Sequence, residues 1–315
     1  MPKILRLLPL LLLLPALLVL AACDGQGGAA SSDGDGDRKL RVVATTGIIA
    51  DTAARVAGSH AEVEGLMGPG VDPHLYKASE SDVRRLAEAD LVLYNGLHLE
   101  GKMGDILGKM GRNRPVVAVA EDIPKESLRT PPEFQGQPDP HVWFDVSLWA
   151  KTLGPIARAL SELDLGNAAD YQANAAAYEK ELLELDAWVA EEVARIPEGQ
   201  RVLVTAHDAF GYFGRRYGVD VIGLQGISTL SEAGLNDVDR VVQIVLDRRV
   251  KAIFVESSVP RRSIEAVQAA AASRGHQVRI GGQLFSDSLG GPATPAATYP
   301  GMVRVNVETI VKALR

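Results

Sequence analysis

Six histidines stand in the 315-residue chain, at positions 60, 74, 98, 141, 207 and 276. Three have a context that sets them apart. His74 lies in Asp72-Pro73-His74-Leu75-Tyr76 and His141 in Asp139-Pro140-His141-Val142-Trp143, so the tripeptide Asp-Pro-His occurs twice. Each proline fixes its own φ and restricts the residue before it, which lowers the entropy lost when the following histidine is held. His207 follows the apolar run Arg201-Val202-Leu203-Val204-Thr205-Ala206. A residue at the carboxyl end of a parallel strand points into the crevice where open α/β sheets bind ligands. Asp287 follows a later strand in the same way. Neutral imidazoles with a carboxylate suit a divalent first-row metal. An ion held by all four would lie between the two halves of the chain, which contribute two residues each. The alternative is that these are unconnected polar residues, the ordinary state of a histidine in a globular protein. His60, His98 and His276 read that way, as polar positions at turns or helix surfaces.

The elements around these residues alternate between strand and helix, which argues for a mostly parallel sheet. Strands are expected at 40–45, 61–66, 91–94 and 115–119, with helices at 48–57, from Ser79 to Ala89 and, weakened by three glycines, at 98–111. Ser79 with Asp82 forms a capping box. Residues 121–140 carry five prolines and read as an irregular loop. A helix is expected from about Ser147 to Leu163. Asn167 to Ile196 then runs without Gly or Pro, and as one helix would span about 45 Å. The second half repeats the alternation: strands at 201–205, 219–224, 252–255 and 277–280, helices at 210–217, 232–248, 260–274 and 302–314, and a Gly- and Pro-rich loop at 281–300. The expected fold class is α/β: two lobes with mostly parallel sheets, 39–166 and 198–315, joined by a long rigid backbone helix at 167–197.

The N-terminus reads as an address. Lys3 and Arg6 precede an uncharged apolar run, Leu7 to Ala22, that is short for a membrane span of about 20 residues and interrupted by two prolines. It ends Leu20-Ala21-Ala22-Cys23, which resembles the lipobox of bacterial lipoproteins. Residues 1–22 are the expected signal peptide, Cys23 the lipidated residue, and 23–38 a Gly-, Ser- and Asp-rich tether of roughly 20 Å r.m.s. span. The expected location is the outer face of the cytoplasmic membrane, periplasmic or at the cell surface. Cys23 is the chain's one cysteine, which excludes a disulfide framework or a cysteine zinc site. A net charge of −7, from 40 acids against 33 bases, argues against nucleic-acid binding. With 46% hydrophobic and 23% charged residues the chain can bury a core.

Several segments, in order, carry a resemblance: VDPHLYKASESDVRRLAEADLVLYNG, DPHVWFD, TAHDAFGYFGRRYGV, GISTLSEAG, FVESSVPRRSIEAV and GGQLFSDSLG. Together they resemble the metal-binding solute receptors of bacterial zinc/manganese ABC importers, the TroA/ZnuA-like family, over nearly all of the chain from Leu40 onward. The resemblance implies two α/β lobes, a long connecting helix and one divalent ion, zinc or manganese, between the lobes as transported ligand. The family's ligand positions fall on His74, His141, His207 and Asp287. It implies an ABC permease as partner, a monomer, and no catalytic residues. On the choice of metal the implications divide. His207 at the third position points to zinc, whereas GISTLSEAG, FVESSV and a loop 121–138 without histidine look like the manganese-type branch. Asp145, Asp208 and Glu256 are candidates for hydrogen bonds around the ion.

Three other functions compete. A metallohydrolase would need an open coordination position and a general base beside it, and the chain has no H-E-x-x-H helix. A surface adhesin lipoprotein needs no metal delivery. A receptor for an organic solute would present aromatic stacking groups and an arginine clamp in the cleft, and neither is evident.

Overall fold

Branched and small apolar residues at 42–44 make a strand buried on both faces, Leu40–Thr46 (β1). The computed structural model describes residues 38–315; the expected signal peptide, Cys23 and nearly all of the tether lie outside them. β1 is flanked by Ala61–Met67 (β2) on one side and Leu91–Tyr94 (β3) on the other, with Val116–Ala118 (β4) beyond, in the order β2-β1-β3-β4. All three pairings are parallel. The connections are helical: Gly47–Ala57 (α1), Glu80–Glu88 (α2) and Gly104–Met110 (α3). Thr46 caps α1 by accepting the Ile49 N–H, and the expected Ser79–Asp82 capping box opens α2. Of the 98–111 segment only the last part is helical, because Gly101 and the turn before it give little helix propensity.

The helix expected over 147–163 is divided. Val146–Trp149 (α4) and Leu153–Leu163 (α5) are separated by a 3-10 turn, Ala150–Thr152. Pro155 explains the break, since it lacks the N–H that would bond the Lys151 carbonyl in a continuous α-helix. Ala168–Ala194 (α6) follows, 27 residues and so about 40 Å long. Its buried apolar residues, Tyr171, Ala175, Tyr178, Leu182, Leu185, Val189 and Val193, fall at steps of three or four. That spacing makes one stripe along the helix.

The second half is built from two parallel pairs. Val202–His207 (β5) pairs with Asp220–Gln225 (β6), and Ala252–Glu256 (β7) with Arg279–Leu284 (β8). β5 lies against β7. Gly211–Tyr217 (α7), Leu235–Asp247 (α8), Arg262–Ser273 (α9) and Tyr299–Leu314 (α10) complete the chain. The loop expected from residue 281 begins later, because Gly281 and Gly282 belong to β8. A Cβ at Gly281 would stand 2.6 Å from the Phe254 ring and 2.8 Å from Ala313 Cβ. The glycine there admits a close approach of sheet and helix and does not mark a turn.

α6 packs against α1, α4 and α5 of the first half and against α7 and α10 of the second. One apolar cluster runs through both halves, from Val42 and Trp149 through Tyr171 and Leu182 to Phe254 and Leu314. Two smaller clusters fill the space under α8 and α9 and under α2 and α3. Among the described residues no helix is long and apolar enough to cross a membrane.

Candidate metal centre

His74, His141, His207 and Asp287 converge. One ligand atom from each lies within 4.8 Å of all the others, and all four residues are buried. His74 comes from the turn after β2 and His141 from the end of the long irregular loop. His207 is the last residue of β5, and Asp287 follows β8 by three positions. His141 Nε2 stands 3.3 Å from His74 Nε2 and 3.4 Å from His207 Nε2. The carboxylate closes the group, with Oδ1 3.5 Å from His141 Nε2 and Oδ2 3.4 Å from His207 Nε2. A tetrahedron with metal–ligand bonds of about 2.0–2.1 Å has edges of roughly 3.3–3.4 Å. The spacings of His141 from the other three, and of His207 from Asp287, therefore match those between the ligands of one small dication.

Each side chain is aimed by partners on the side away from the cluster. Asp139, at the head of the second Asp-Pro-His, accepts the His141 main-chain N–H at 3.0 Å and its Nδ1 at 2.8 Å. The other oxygen of Asp139 is paired with the Arg129 guanidinium. Tyr212 Oη donates to the Asp139 carbonyl and accepts the Arg129 N–H. Gly211 opens α7 where the guanidinium passes, and a Cβ there would overlap it. His207 is held by Glu256 at the end of β7, through Nδ1 at 2.6 Å and the main-chain N–H at 2.9 Å. Asp72 repeats the local motif and accepts the His74 main-chain N–H at 2.8 Å. Trp143 Nε1 donates to the Ser286 carbonyl, which ties the His141 segment to the Asp287 segment. Ser258 donates to Asp287 Oδ2. Among the described residues Asp287 Oδ1 is buried without a hydrogen-bond partner, as an oxygen reserved for an ion would be.

The electrostatics are arranged for positive charge at the centre. Burial alone would push His141 down, but Asp139 and Asp287 outweigh it and raise the imidazole to about 9. His207 is likewise raised well above its ordinary value by Glu256 and Asp287 against the cost of burial. Asp287, despite burial, is held well below the usual carboxylate range by His207 and His141. His74 differs: desolvation dominates and lowers it to about 3. Asp139, Glu256 and Asp287 bring three carboxylates against one guanidinium. Two protons, on His141 and His207, balance this cluster, and a dication would balance it equally well.

The remaining candidates fall elsewhere. His60 Nε2 pairs with Asp170 on the surface and His276 Nε2 with the Val250 carbonyl, while His98 sits in a turn with φ 66°. Asp145 caps α4 by accepting the Leu148 N–H, and Asp208 lies 4.0 Å from Arg129; only Glu256 of the three candidates holds a site histidine. Asp139 escaped the sequence reading as a partner of His141, although the repeated Asp-Pro-His was its signal.

The fold and this cluster define an α/β binding protein with a buried three-histidine, one-carboxylate centre at the carboxyl ends of its strands. The family described as zinc-uptake complex component A, periplasmic (ZnuA), matches residues 42–313, and the chain belongs to it. It is 50% identical to the manganese-binding lipoprotein MntA of Bacillus subtilis over 91% of this chain and 94% of that one. It is 48% identical to the zinc-binding protein TroA of Treponema pallidum over 90% of this chain and 92% of that one. The solved structure of the periplasmic zinc-binding TroA superimposes with a TM-score of 0.85, covering 88% of this chain and 99% of that one.

Proposed function

We propose that this chain is an extracytoplasmic receptor that captures one divalent transition-metal ion, zinc or manganese, and delivers it to an ABC permease. The observation that carries the proposal is the convergence of His74, His141, His207 and Asp287 in one buried cluster, with ligand atoms within 4.8 Å of one another and His141 3.3–3.5 Å from the other three. Three imidazole nitrogens favour Zn²⁺ over Mn²⁺ by intrinsic affinity. The Asp287 carboxylate faces His141 through one oxygen and His207 through the other, so it can also bind through both and serve a metal that wants more than four ligands. The names of the two relatives above divide between the same two ions.

The protein works as a monomer, is exported by residues 1–22, and is held at the membrane by a lipid on Cys23. Lobes at 39–166 and 198–315 each supply two ligands, with 167–197 as their rigid connection. Four protein ligands fill a tetrahedral site and leave no position for a reactive water, which speaks against hydrolysis. The test is native mass spectrometry with elemental analysis on protein purified without chelators. One zinc or manganese per chain is expected, lost in H207A. A metal-free wild type that also fails to take up either ion overturns the proposal.

A further inference from the structure

The three site histidines are not held alike. His141 and His207 each have Nδ1 tied to a buried carboxylate, Asp139 and Glu256. Among the described residues no hydrogen bond to His74 Nδ1 is found, and the residue is held through its main-chain N–H by Asp72. Asp72 is held in turn from the opposite half: its second oxygen accepts the Thr229 hydroxyl at 2.6 Å. Thr229 is buried, in the loop between β6 and α8. The same turn is joined to the second half once more, by the Gly70 N–H on Ser288 Oγ at 2.9 Å. Pro73 and His74 are buried within the turn. Leu75, next to His74, and Leu230, next to Thr229, are 46% and 55% exposed. A groove lined by Asp72, Leu75, Gln225, Thr229 and Ser258 runs beside them.

We infer that Thr229 is a positioning residue for ion release: its hydrogen bond to Asp72 latches the turn that carries His74, and His74 is the ligand that leaves first. The inference rests on the metal-receptor reading above. Breaking the Thr229 bond frees an aspartate oxygen and leaves the turn tied to the second half by the neutral Gly70–Ser288 bond, whereas freeing His141 or His207 means parting an imidazole from a buried carboxylate. The ion then faces the groove, with two histidines and Asp287 still in place.

The test is release of Zn²⁺ from the loaded protein into excess chelator by stopped flow, with association measured separately. T229V keeps the shape and removes the donor. Its release is expected to be about tenfold faster or more, from the loss of a hydrogen bond to a charged group, with association nearly unchanged. T229S restores the hydroxyl and is expected to return release to within a few-fold of wild type. Wild-type release in T229V, or a loss that T229S does not rescue, overturns the inference. Should T229V fail to fold, amide exchange of the zinc-loaded wild type decides: residues 68–76 are expected to exchange faster than 139–145, and the reverse order sinks it. A wild type that binds no zinc and no manganese is a different result and strikes the functional reading itself.

Discussion

At the scale of single residues, the proposed metal centre sets protons and a dication in competition for the same nitrogens. His141, raised to about 9 by Asp139 and Asp287 against burial, and His207, raised likewise by Glu256 and Asp287, both carry protons at neutral pH in the metal-free protein. Binding must expel them, because the ligand is the neutral imidazole. Calorimetry in buffers of different ionisation enthalpy is expected to show between one and two protons released per ion at pH 7, and affinity should keep rising from pH 6.5 to about 9. No proton release at pH 7 would remove this account. The sign for the metal-free fold is opposite. A histidine raised in the folded state stabilises it fully below its unfolded value of about 6.5, and that contribution is lost as pH rises through about 9. The metal-free melting temperature should therefore fall over the window in which the affinity climbs. His74, lowered to about 3 by desolvation, acts in the other direction: its contribution is present above pH 6.5 and lost as pH falls towards 3. The carboxylates behind the imidazoles are separately testable. E256Q leaves His207 Nδ1 facing a neutral acceptor, and about a 10- to 100-fold loss of metal affinity is expected by chelator competition. An unchanged affinity would mean that Glu256 is merely structural.

At the scale of elements, what the sequence made legible and what it hid divide along the range of the interactions. The alternation of β1 to β4 with α1 to α3, the Ser79–Asp82 cap and the long α6 rest on local pattern, and the structure agrees with them to within a residue or two at most ends. That His74, His141, His207 and Asp287 come together was legible only with the resemblance; on residue types alone it stood beside the reading of unconnected polar residues. Glu256 was named as a candidate but could not be assigned to His207, because their contact requires β5 to lie beside β7, an ordering no local signal states. The Gly281-Gly282 pair was misread for the same reason. Dipeptide chemistry says turn, while the packing of Phe254 and Ala313 requires a strand with no side chain. G281A tests that packing. The added methyl must displace a ring and a helix residue, and overpacking of this kind costs about 1–3 kcal/mol. A lower melting temperature with metal affinity intact is expected. A variant as stable as wild type would show that sheet and helix yield freely there.

At the scale of the whole molecule the question is how far the two halves part when the ion leaves. The long helix does not act as a bare strut. Its stripe from Tyr171 to Val193 is buried by helices of both halves, and the apolar cluster that contains it runs without interruption from Val42 to Leu314. A wide opening would have to expose part of that cluster, at about 25 cal/mol for each Å² of apolar surface. Of the polar bonds that cross near the site, Asp72 to Thr229 and Gly70 to Ser288 hold the His74 turn, while Tyr212 binds the Asp139 carbonyl and the Arg129 N–H behind His141. A further one, from the Trp143 indole to Ser286, is buried beside the Trp149 and Tyr299 rings. Strength therefore increases from the mouth of the site towards α6, and the least costly motion is displacement of the His74 turn with the halves nearly fixed. Small-angle scattering of the metal-free and zinc-loaded protein should give curves that nearly superimpose, with no large change in radius of gyration. A marked compaction on loading would mean that the halves hinge as bodies, and that the buried stripe of α6 does not hold them.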